Sequence, residues 1–151
     1  MIKILKIIAI TALVALIGIQ FIPTNRNQSE VVPITDFIYT YNPPKEVAGI
    51  LRTSCYDCHS NNTAYPWYNK IQPAAMYLED HIEHGKEELN FHEFGDYSDR
   101  RKKSKLKSII RQVEQNEMPL ESYTLIHRDA KISDFEKKLM LTWVDKVLDS
   151  I

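Results

Sequence analysis

The chain opens on an apolar block and then changes to a helical rhythm. From Ile7 to Ile22 only Thr11, Gly18 and Gln20 interrupt the hydrophobic run. After Pro23 the pattern is polar to about Thr40. From there on, apolar residues recur three and four positions apart, the spacing that lines one face of a helix. Val47, Ile50, Leu51 and Ser54 predict a helix over Lys45–Cys55, opening after Pro43-Pro44, where proline suits a helix start. Its Gly49 costs about 1 kcal/mol relative to Ala in a helix interior, which close approach of another helix would explain and chance would too. Asn61–Gln72 reads as a loop. Pro73 then starts a second helix, Ala74 to about Leu89, with Ala74, Leu78, His81 and Ile82 on its inward face. Asn90–Tyr97 breaks the rhythm at Gly95. A third helix carries Leu106, Ile109, Ile110 and Val113 and stops at Met118-Pro119, because proline disfavours helical geometry in its predecessor. After a loop from Leu120 to Lys131, Ser133 and Glu136 stand in capping-box spacing. Phe135, Leu139, Trp143, Val147 and Ile151 then mark the apolar face of a last helix. No stretch reads as a strand, so the expected fold class is all-α.

The leading block has a different purpose. Counted from Ile4 it holds about 19 apolar-dominated residues, close to the ~20 that cross a bilayer as a helix. Lys3 and Lys6 precede it, which predicts an N-in, C-out orientation. A cleaved signal peptide is the rival reading, but the small-residue cleavage pattern is not evident around Gly18–Ile22. The expected layout is therefore a signal anchor or transmembrane helix over 1–23, a tether over 24–43 that holds the domain off the membrane, and a helical domain over 44–151. With 44% hydrophobic residues and net charge −1, the composition suits one globular domain plus an appendage. It offers no case for nucleic acid as a partner. The basic run Arg100 to Lys107 reads as a solvated helix face, with a docking patch for an acidic partner as the alternative.

Chemistry concentrates at Cys55-Tyr56-Asp57-Cys58-His59. The pattern is C-x-x-C-H, the attachment sequence of a c-type haem. Two thiols three positions apart reach the vinyl groups on one porphyrin edge, and the following imidazole lies beneath the iron. These are the chain's 2 cysteines, so no other thiol competes for them. A redox dithiol is the first alternative, though such sites usually sit in a βαβ context. Zinc is the second, but no further C-x-x-C or well-spaced His pair completes a ligand set. A structural disulfide is the third.

The order of these features resembles a class I cytochrome c: a helix, C-x-x-C-H, loops, Met-Pro and a capped C-terminal helix. More closely it resembles a small bacterial haem-binding domain family with a single C-x-x-C-H. Cys55–Asn61, Tyr65-Pro66-Trp67-Tyr68, Leu89-Asn90-Phe91, Met118-Pro119-Leu120 and Ala130–Ser133 leading to Trp143 carry the likeness. It implies one covalent haem c, with thioethers at Cys55 and Cys58 and His59 as proximal iron ligand. It also implies Met118 as distal ligand, and the Pro73 carbonyl as acceptor for the other ring nitrogen of His59. His81 is the main alternative for the sixth position, with His84 and His92 behind it, and the aromatics at 65–68 are candidates for a wall against the porphyrin. The resemblance does not settle a role; the six-coordinate haem candidate, the lack of a catalytic constellation and the tether make a membrane-anchored electron carrier, not an enzyme, the leading expectation. It would sit in a bacterial inner membrane facing the periplasm and serve a redox partner protein. A haem-based redox or gas sensor, a haem peroxidase, and an exported dithiol or zinc protein are the competing expectations.

Overall fold

The computed structural model describes residues 1–29 and 31–151. All its regular elements are helical, and the one β-type contact among the described residues is an isolated antiparallel bridge between Gln28 and Asn62. Helix α1, Ile2–Ile19, buries none of its residues. Among the described residues it is the single helix long and apolar enough to cross a membrane, at 18 residues.

The segment 24–43, expected as a free tether, is instead built into the domain. Asp36 caps α2, Phe37–Tyr41, by accepting the Ile38 and Tyr39 amides at 2.9 and 3.3 Å. Such a cap satisfies donors that a helix start leaves open. Phe37 is fully buried and meets Phe94 edge-on at 4.6 Å, with Phe91 at 5.3 Å and Trp143 at 5.5 Å. Further back, Ser29 N–H donates to Asn61 O at 2.9 Å and Thr63 N–H to Asn27 O at 3.0 Å. The polar composition of this stretch conceals how much of it is clamped. Its few aromatics do the anchoring, because burying one ring outweighs many solvated side chains.

Helix α3, Lys45–Ser54, buries Val47, Ala48, Ile50 and Leu51. It breaks at Cys55, whose φ of −129° separates it from the single turn α4, Tyr56–His59. Helix α5, Ala74–Glu88, buries Ala75, Leu78 and Ile82, which leaves His81 at the edge of its inward face. Helix α6, Asp99–Glu114, is capped by Ser98 and buries Leu106 and Val113. It ends before the predicted Met-Pro stop. Asn116 adopts φ 56°, and the Glu117 and Asn116 amides return to Gln112 O and Val113 O, which is a Schellman ending. A short turn, α7 at Glu121–Thr124, follows. Helix α8, Asp134–Ser150, carries the expected capping box at Ser133 and Glu136. Its buried stripe is Met140, Val144 and Val147, while Phe135, expected on that face, is 77% exposed. Helices α3 and α6 pack on α8, and Leu51, Phe91, Phe94, Leu106 and Met140 fill the space between them.

Candidate haem site

The break at Cys55 places the motif on one tight turn. Cys58 and His59 N–H both donate to Cys55 O, at 3.3 and 3.0 Å, so the two thiols and the imidazole project from adjacent positions. The cysteines are free rather than bridged. Asp57, between them, holds three neighbours. Its backbone oxygen accepts Thr63 Oγ1 at 2.6 Å, Oδ1 accepts the Ala64 amide at 3.0 Å, and Oδ2 accepts the Tyr123 hydroxyl at 2.6 Å. On the other side, Tyr56 stacks on Phe91 at 4.9 Å and donates its hydroxyl to Asp36 Oδ2 at 3.0 Å. The turn is therefore held by polar contacts along its whole length.

His59 is oriented from α5. Its Nδ1 lies 2.8 Å from Gly85 O and 3.1 Å from Leu89 O. Carbonyl oxygens only accept, so Nδ1 carries the proton and the lone pair stays on Nε2, the nitrogen free to bind iron. The Pro73 carbonyl expected in this role is engaged elsewhere, accepting the Tyr77 amide at 3.1 Å. The reason lies in position: Gly85 O, which also accepts the Leu89 amide at 2.9 Å, and Leu89 O both lie at the end of α5 that meets the motif, whereas Pro73 stands at the opposite end. Burial pushes His59 below its ordinary value, which keeps the ring neutral. Burial also raises the thiols, Cys55 to about 12 and Cys58 to about 11, the latter helped by Asp57. Reactive dithiols and thiolate ligands need the reverse shift.

Close approach of α4 and α5 depends on Gly85. A Cβ there would lie 2.8 Å from Cys58 O. Gly49, the glycine whose place in a helix called for an explanation, has nothing within 4 Å. Gly85 was not singled out from the sequence, because in the linear pattern it is only a small residue near a helix end.

The motif opens on a cavity of about 330 Å³. The corner of α3 and α4 forms one wall, with Cys55, Cys58 and His59. Asp80, His81, His84 and Gly85 of α5 form a second wall, and α6 from Lys105 to Val113 a third. Met118 and Tyr123 complete the lining, so Met118 and His81 both share the cavity with His59. His92 does not reach it. That ring is 1% exposed, its Nδ1 accepts the Asn61 amide at 3.4 Å, and its Nε2 faces Asp36 Oδ2 at 3.8 Å. The aromatics at 65–68 are also absent from the lining, and Trp67 is 74% exposed. Phe91 and Tyr123 supply the aromatic surface in their place. Among the described residues no three His, Cys, Asp or Glu side chains gather as a metal cage. Two neutral thiols beside an imidazole with a free Nε2, at an apolar cavity, fit a haem and suit a zinc ion poorly.

Fold and site together define a small all-α protein whose C-x-x-C-H turn faces a hydrophobic cavity. A family model for a haem-binding domain matches residues 14–146, and the chain belongs to that family. The match begins inside α1 and runs through the segment 24–43, in keeping with the packing of that segment on the domain. No curated protein matches the chain, and no solved structure does.

Proposed function

We propose that this haem-binding protein is a membrane-anchored c-type electron carrier, holding one covalent haem on the periplasmic side of a bacterial inner membrane. The observation that carries the reading is the sharing of one cavity by Cys55, Cys58, His59 and Met118, with His59 Nδ1 occupied by two carbonyls. In this reading Cys55 and Cys58 bear the thioethers and His59 Nε2 ligates the iron. Haem bound here supplies a one-electron couple whose potential depends on the axial ligands. The carbonyls of Gly85 and Leu89 hold the imidazole in a single tautomer and increase its basicity. Met118 is the proposed distal ligand, presented by the chain reversal at Asn116. His81 is the alternative, since its Nδ1 donates to Tyr77 O at 2.8 Å and leaves Nε2 available. Lys3 and Lys6, in the first two turns of α1, support an N-in orientation by the positive-inside tendency.

Haem staining after denaturing electrophoresis tests the covalent link. The wild-type band should keep its haem and Cys55→Ser/Cys58→Ser should lose it; haem that washes out of the wild type overturns the c-type reading. Met118→Ala should abolish the weak near-infrared sulfur-to-iron band of the oxidised protein. If that band is missing from the wild type, the sixth position passes to His81. Stopped-flow reduction by respiring membrane extract should proceed without added mediators, and reduction only by mediators would remove the carrier role.

A further inference from the structure

The exit of the anchor helix is fastened to the domain. Gln20, one residue past α1, donates Nε2 to Gln72 O at 3.0 Å, and the Gln72 amide donates back to Gln20 Oε1 at 3.0 Å. Gln72 Nε2 donates to Ile22 O at 3.2 Å, and its Oε1 accepts the Met76 amide at 3.0 Å. Gln72 is itself buried, at 6% exposure. The point where the chain leaves the apolar helix is thus tied to the first turn of α5. Large apolar side chains stand exposed around that tie: Trp67 (74%), Ile71 (49%), Met76 (44%) and Tyr77 (56%), with Phe21 (83%) on the anchor side.

We propose that Trp67, Ile71, Met76 and Tyr77 form a lipid-contacting apron that seats the haem domain on the bilayer surface beside its own anchor. The proposal rests on the anchored reading above and replaces a domain held off the membrane with one resting on it. Length supports it: the 18 helical residues span about 27 Å, close to a hydrocarbon core of ~30 Å with Lys3 and Lys6 of the first two turns snorkelling to the inner headgroups. Gln20 then lies at the edge of the core, and the glutamine pair holds Ile71 and Met76 at that depth. Trp and Tyr favour this boundary because each has an apolar body and a polar tip. Lys70, exposed beside Ile71, is placed to meet lipid phosphates while its stem stays apolar. Gly85, the acceptor for His59, lies eleven residues along α5 from Ala74, roughly 17 Å at the helical rise. Seating that turn therefore holds the cavity, whose α5 wall begins at Asp80 and His81 beside Tyr77, close to the membrane and favours a redox partner that is itself membrane-bound.

The test uses the full-length, haem-loaded protein in phosphatidylcholine–phosphatidylglycerol vesicles that contain a phosphatidylcholine photolabel with a diazirine near its headgroup. Adducts mapped by peptide mass spectrometry should fall in 1–22 and in 65–77, and not around Phe135, which is as exposed as Trp67 but lies on α8, an element that packs on α3 and α6. Trp67→Ser/Ile71→Ser should lose the 65–77 adducts while keeping anchor labelling and the haem spectrum. Labelling of the anchor alone, or of Phe135 as strongly as 65–77, overturns the seating. Absence of adducts from 1–22 overturns the anchored reading on which it stands.

Discussion

Gly85 and His92 show how single side chains are committed by their surroundings. At Gly85 a methyl group would meet the backbone oxygen of Cys58 at 2.8 Å, and backbone cannot swing aside as a long side chain can. Gly85→Ala should therefore push α5 off α4, costing about 1–3 kcal/mol of stability as an overpacking change. It should also loosen the carbonyl grip on His59. Denaturant titration reads the first effect, and the yield of haem-loaded protein, expected to fall, reads the second. His92 is kept neutral by burial, which outweighs the pull of Asp36 and leaves it below its ordinary value of 6.5. The unfolded chain then binds the extra proton more readily, so the His92 contribution is present above the ordinary histidine value and is lost as pH falls below it. Replacing this ring by Asn should flatten that part of the stability–pH curve, as measured by thermal melts between neutral and mildly acidic pH.

Among the elements, α8 and α6 owe their ends to different devices. Ser133 accepts the Glu136 amide while Glu136 Oε2 accepts the Ser133 amide at 2.8 Å. Ser133→Ala should remove one side of this exchange and lower stability by about 1 kcal/mol, visible as a lower melting temperature with an unchanged haem spectrum. The end of α6 is different. Its Schellman reversal at Asn116 needs a left-handed residue, and Lys137 of α8 donates to the Asn116 side chain. The stop therefore comes before Met118-Pro119 rather than at it. Proline made the region legible as a helix end, but the last helical turn was set by backbone bonds to Gln112 and by a contact from α8.

At the scale of the whole molecule, the largest departure from the linear pattern is the segment 24–43. It reads as polar spacer, yet Phe37 is fully buried and Asn27 reaches Ser60 O at 2.8 Å, Thr63 Oγ1 at 2.9 Å and Lys86 Nζ at 2.7 Å. Phe37→Ala should cost about 3–5 kcal/mol, the range for deleting a buried ring, where a tether residue would cost nearly nothing. Asn27→Ala should make 24–36 the first site of limited proteolysis, because local opening follows the loss of such contacts. Both outcomes bear on function, since a clamped linker holds the haem domain at a set place relative to α1.

Local order in the chain was enough to determine the all-α class, the apolar leading helix, the α8 capping box and the C-x-x-C-H turn. Each depends on residues within a few positions of one another, where spacing translates directly into a shared face or a shared turn. Only the tertiary structure decided that Gly85 and Leu89, not Pro73, face His59, that His92 is withdrawn from the cavity, and that Phe91 and Tyr123 line it instead of Trp67. It also decided that the presumed tether belongs to the core. These contacts join residues 26 or more positions apart, and the choice among chemically similar candidates is made by which carbonyls and rings the packed helices bring within reach.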